Sequence, residues 1–136
     1  MKPIQKGLKI MFDLEAFVEN CKTAVEADHS HLGIKDIVES AVSDPDKLIK
    51  AIGEPTKPGA TAIYSSSNLT IVNVVWAPWV TIYPHNHNIW AVIGMYSGRE
   101  DNIFWRRINE DQEGRIEAAG AKSLCVGDVT PLGMDI

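Results

Sequence analysis

Cysteine is nearly absent: Cys21 and Cys125 are the only two in 136 residues, near opposite ends of the chain. That excludes a disulfide framework or a zinc ribbon, and each is expected as a buried thiol. Basic clusters are lacking as well. Thirteen Lys and Arg against 18 Asp and Glu give a net charge of −5, and Arg106-Arg107 is the one adjacent cationic pair. With no surface to meet phosphates, a nucleic-acid partner is excluded. No apolar run approaches the ~20 residues of a membrane span, so no membrane partner is expected. "MKPIQKGLKIMFDLE" carries Lys2, Lys6 and Lys9, but Asp13 and Glu15 arrive before any apolar stretch. It does not read as a signal peptide, and the expected location is cytoplasmic. There is no internal repeat and no low-complexity segment. Histidine is scarce too, with four residues and none after His87.

What remains is ordinary globular composition, 45% hydrophobic and 23% charged, in a length that suits a single domain, residues 1–136. Periodicity divides it. Residues 1–53 form a helical N-terminal cover. Asp13 caps a first helix with Leu14, Phe17, Val18 and Cys21 at helical spacing, and Ile34, Ile37, Val38 and Ala41 line a second. "SDPDKLIKAIGE" starts a third, with Ser43 or Asp44 as cap, Pro45 in the first turn and Gly53 as stop. The 13–52 helices are expected to pack outside the β-half, burying Leu14, Phe17, Val18, Ile37, Leu48 and Ile52. After the breaker-rich "GEPTKPGA", residues 60–136 read as short β runs: "TAIYS", "LTIVNVVWA", "VTIYP", "IWAVIGMYSG", "NIFWRRIN", "RIEAA" and "KSLCVGDV". The fold class is mostly β, an antiparallel sandwich or jelly roll with an N-terminal helical segment.

Two of the four histidines stand together in "PHNHNIWAVIGMYSGRE". On a strand, side chains at i and i+2 share a face, so His85 and His87 can aim two imidazoles into one interior. Imidazole accepts iron, zinc, nickel and copper, so the pair alone does not choose the metal. A chance pairing with one surface histidine is the bland alternative. Trp90, Val92 and Ile93 are expected to wall the site, with Gly94 and Gly98 letting the sheet bend behind it. His29 and His31, also two apart, point about 200° from each other on a helix and are read as cap or linker.

This segment resembles the first signature of the cupin superfamily, His-x-His followed by Gly-x-x-x-Gly-x-Glu. "VGDVTPLG" resembles the opening of the second. With Trp76, Pro78, Trp79 and Trp90 nearby, the resemblance is to the cysteine-dioxygenase-like group, the thiol dioxygenases, over residues 60–136. It implies a cupin-type double-stranded β-helix holding Fe(II) on three histidines, with O₂ and a small thiol as substrates and a sulfinic acid as product. Ni, Zn and Mn are the other metals such a site accepts.

The sequence departs from the pattern in two places. Many cupins carry a glutamate ligand shortly after the second histidine, where Ala91 and Val92 stand here, and Glu100 is a poor substitute. A site of neutral imidazoles leaves the ion's charge to an anionic ligand such as a thiolate. The third histidine would fall just beyond "PLGMDI", so the chain is either truncated before it or has lost it, and truncation is the expectation. A homodimer across unpaired strand edges is expected with it. The family's carboxylate-binding arginine has serines in its place, in "IYSSSN". Tyr83 and Tyr96 are the candidate catalytic hydroxyls. Two other readings stay open: another metal cupin acting on a non-thiol, and a non-catalytic small-molecule-binding β-barrel.

Overall fold

The computed structural model describes residues 11–28 and 31–134. Three helices come first: α1 (Leu14–Asp28), α2 (Leu32–Val42) and α3 (Pro45–Ile52). Their starts follow from side-chain chemistry. Asp13 Oδ1 accepts the Ala16 amide at 3.0 Å, and Asp44 Oδ1 accepts the Lys47 amide at 3.4 Å with Pro45 directly behind it. Helix α3 stops at Gly53, which takes φ 96° while its amide still donates to Ile49 O at 2.7 Å. His31 stands at the N-cap of α2 but makes no side-chain cap bond; its ring lies against Trp90, centroids 6.1 Å apart. His29 lies outside the described residues.

Cys21, Val25, Ile34 and Leu69 form the buried centre between α1, α2 and the β-half, with Phe17, Ile37, Val38, Tyr64, Ile71, Trp90 and Val92 packed around it. A side chain of this kind contributes about 1.5–3 kcal/mol when fully removed from water. Of the residues expected to be buried by the helices, Leu48 is buried, and Leu14, Phe17, Val18, Ile37 and Ile52 are half-buried.

Six strands follow: β1 (Gly59–Ser65), β2 (Thr70–Val75), β3 (Ala91–Gly94), β4 (Glu100–Arg107), β5 (Ile116–Leu124) and β6 (Val129–Leu132). They pair antiparallel as β1–β2, β3–β6 and β4–β5. The last two pairs are one ribbon. Ala91 faces Leu132, and sixteen residues later Arg107 faces Ile116, sixteen residues earlier on the returning strand. Between the pairs the ladder continues: Met95 N donates to Asp128 O at 2.9 Å and Gly127 N to Met95 O at 2.8 Å. The ribbon bends there. Gly98 and Gly127 take φ 71° and 91°, and Asp128 closes the turn by accepting the Cys125 amide at 2.8 Å. A bulge between Phe104 and Trp105 adds a second bend. At the far tip Arg115 Nε meets Asp111 Oδ2 at 2.6 Å.

Four expectations need correction. Helix and strand occupy comparable shares of the described residues, so the class is mixed α/β and not mostly β. Those residues form three two-stranded sheets without a closed barrel. "VTIYP" is not a strand, because Pro78 and Pro84 flank it without amide hydrogens and Trp79 at φ 63° turns the chain. Cys125 is exposed, since it sits in the ribbon's bend; Cys21 is the core thiol, 1% exposed, and burial pushes its pKa up to about 11. No described helix is long and apolar enough to cross a membrane.

Candidate metal centre

The histidine pair lies on the loop that joins β2 to β3, residues 76–90, and not on a strand. The loop is built from turn chemistry. Val80 N reaches back to Ala77 O at 3.3 Å around Pro78 and Trp79, and Asn88, at φ 57°, redirects the chain toward β3. Between these turns the chain has no regular secondary structure, and the two rings end up side by side. His85 and His87 stand with ring centroids 5.1 Å apart and planes at 72°. Two imidazoles that share an ion at ~2.1 Å from each nitrogen, at right-angle to tetrahedral geometry, have centroids roughly 4.7–5.4 Å apart. The pair fits that range.

The Tyr83 carbonyl fixes the His85 ring, with Nδ1 and O 2.8 Å apart. A carbonyl only accepts, so Nδ1 carries the hydrogen and the Nε2 lone pair is left for a ligand bond. Tyr83 therefore touches the pair through its backbone; its phenol is 90% exposed. Tyr96 is elsewhere engaged. Its hydroxyl donates to Asn73 Oδ1 at 2.7 Å, and partial burial raises its pKa.

The expected dry wall does not form around the pair. Trp90 and Val92 pack against the helical core, because the strand alternation that follows the loop turns them toward α1 and α2. His85 and His87 are both exposed. Among the described residues no group of three or more His, Cys, Asp or Glu side chains comes together. The two rings meet edge to face at the surface, at a centroid spacing that two ligands of one ion would also show.

One polar constellation escaped the sequence reading. Trp76 Nε1 donates to Glu100 Oε2 at 3.0 Å and Asn102 Nδ2 to Glu100 Oε1 at 3.1 Å, so both carboxylate oxygens are engaged by neutral donors. This ties the start of the histidine loop to the ribbon. Alternation along β4 placed Glu100 and Asn102 on one face, which was the available signal. A concavity of about 550 Å³ lies at the ribbon tip, lined by Ile108–Asn109, Glu110–Asp111 and Arg115, and neither histidine of the pair lines it.

No known protein family, curated protein or solved structure matches this chain.

Proposed function

We propose that the β-half is a cupin-type metal-binding unit in which His85 and His87 supply two imidazole ligands to ferrous iron, for oxidation of a small thiol by O₂. The observation that carries the reading is the ring pair itself, 5.1 Å apart, with the Tyr83 carbonyl orienting His85. The two strand pairs β3–β6 and β4–β5, set end to end between Ala91 and Leu132 and interrupted at the Gly-Asp bend, support the double-stranded β-helix reading, since that architecture is a long antiparallel ribbon wrapped on itself.

The ion would supply redox chemistry and a binding point for a thiolate sulfur. The chain's own residues hold it and orient its ligands, and a neutral imidazole shell leaves its positive charge available to that anion. The overall change adds both atoms of O₂ to the sulfur of R–SH and gives R–SO₂H. Tyr96 is the hydroxyl proposed to act near sulfur, once released from Asn73.

Iron content of anaerobically reconstituted protein, followed by O₂ uptake with a panel of small thiols, tests the reading. Iron binding that disappears in both His85→Ala and His87→Ala, with thiol-dependent O₂ uptake, supports it. Metal binding without thiol-dependent uptake leaves a metal cupin of another activity and refutes the dioxygenase assignment. Metal content unchanged in both variants overturns the site.

A further inference from the structure

We propose that the β2–β3 loop is a self-association surface that docks on the same loop of a second copy of this chain. Its apolar side chains point into solvent: Trp79 is 100% exposed, Tyr83 90% and Ile89 63%, with Trp76, Val80 and Ile82 each between 44% and 51%. Six large exposed apolar groups on one 15-residue loop make a candidate contact surface, where isolated ones need no explanation. Aromatic enrichment together with loss of charge is the composition of an interface centre.

Charge selects the partner. From Pro58 to Gly98 there is no Asp, Glu, Lys or Arg, although such residues make up 23% of the chain. Every formal charge lies outside the segment that carries the loop. Two copies, each with net charge −5, repel on approach. An isologous contact lays a patch on itself, so any unpaired charge within it would face its own like. A patch that contributes no charged side chain of its own avoids that, with Glu100 at its edge already engaged by Trp76 and Asn102. A strongly acidic or basic partner finds nothing here to pair with, and an anionic membrane surface finds no Lys or Arg.

The loop is also prepared for contact. Trp79 holds a left-handed φ of 63°, a conformation that costs a non-glycine residue about 1 kcal/mol or more. The Ala77–Val80 turn bond maintains it and directs a fully exposed indole outward. A large, pre-positioned aromatic of this kind is what anchors the centre of an interface. The inference does not depend on metal binding.

Sedimentation velocity of the full chain in EDTA, over a wide concentration range, is the test. The expected result is a monomer–dimer equilibrium that persists when salt is raised, because apolar contacts are not screened. Trp79→Asp and Tyr83→Asp should each weaken it by at least about tenfold, since each buries an unpaired carboxylate at the contact. Trp79→Ser repeats the test without adding charge, and far-UV circular dichroism checks that helix content is kept. Leu32→Asp, at a 63% exposed position on α2, should leave the dimer intact. A monomer at every concentration overturns the proposal. So does a dimer indifferent to the loop substitutions, or one that forms only when divalent metal is added.

Discussion

The indole of Trp76 and the carboxylate of Glu100, 24 positions apart in sequence, are joined by a 3.0 Å hydrogen bond. Trp76 opens the histidine loop and Glu100 opens β4, so the bond fixes where the loop leaves the β1–β2 sheet relative to the ribbon. A charged acceptor makes it stronger than a neutral pair, and its partial exposure keeps it at the modest end. Trp76→Phe should therefore destabilise the fold by about 1 kcal/mol. Glu100→Gln keeps an acceptor and the Asn102 neighbour, and should cost less. Chemical denaturation of the two variants checks the order; equal and negligible losses would show that the contact contributes nothing.

Glycine at position 94 lets α2 settle on β3. A Cβ there would stand 2.5 Å from Val38 Cγ1 and 2.9 Å from Val42 Cγ1. Both valines are β-branched and held at χ1 by the helix, so neither swings aside freely. Gly94→Ala should cost about 1–3 kcal/mol as overpacking. Gly133→Ala meets nothing within 4 Å and serves as the control. A thermal midpoint for Gly94→Ala equal to the parent would mean that α2 does not rest on β3 as described.

The two thiols should separate cleanly. Cys21 is 1% exposed, and burial raises its pKa to about 11, so at neutral pH it is both inaccessible and protonated. Cys125 is exposed in the ribbon's bend. A thiol reagent should therefore titrate one cysteine in the native protein and two in denaturant. Two fast-reacting thiols under native conditions would contradict the packing of α1.

Parts of this arrangement are written locally, and those parts were legible. Asp13, Asp44, Pro45 and Gly53 bound helices through bonds within four residues of themselves, and the Gly-Asp turn at Gly127–Asp128 likewise closes on its neighbours. His85 and His87 do stand close, 5.1 Å between ring centroids, but on a loop and not on the strand from which their shared face was argued. Which face is buried is not a local property. Trp90 and Val92 satisfy the alternation equally well facing the histidines or facing α2, and helix packing decides it. Cys125 failed for the same reason: a run such as "KSLCVGDV" does not reveal that its fourth residue is where the ribbon turns outward.

Acid should loosen the ribbon tip before the core. The Asp111 carboxylate takes hydrogen bonds from Arg115 Nε at 2.6 Å and from the Glu113 amide at 2.9 Å, and these hold its pKa below the ordinary carboxylate value, the Arg115 bond first. A group whose folded pKa is depressed stabilises the fold above its unfolded pKa and loses that contribution as pH falls through the folded value. The tip is therefore stable at neutral pH and should open below roughly pH 4, where unpaired carboxylates begin to protonate. Asp111→Asn should remove that dependence while lowering stability at pH 7. Amide exchange at Ile108, whose N–H donates to Arg115 O at 3.1 Å, reports the opening directly. Exchange at that amide that speeds up on acidification in the Asn variant as much as in the parent would rule Asp111 out as the source.

The histidine pair gives the sharpest ligand test. With Nδ1 of His85 held by a backbone carbonyl, Nε2 is the nitrogen left for a ligand, and the His87 ring stands 5.1 Å away, a separation compatible with a shared ion. Titration with Ni²⁺ followed by calorimetry should show one site per chain. His85→Ala and His87→Ala should each weaken it by more than about a hundredfold, because a lone exposed imidazole is a poor ligand and an oriented pair gains from chelation. Tyr83→Phe should leave affinity unchanged, since the contact to His85 is made by the backbone. His31→Ala, whose ring rests on Trp90, should also leave it unchanged. Affinity that falls in His31→Ala and not in His85→Ala or His87→Ala would place the ion elsewhere and end the case for this loop as the metal centre.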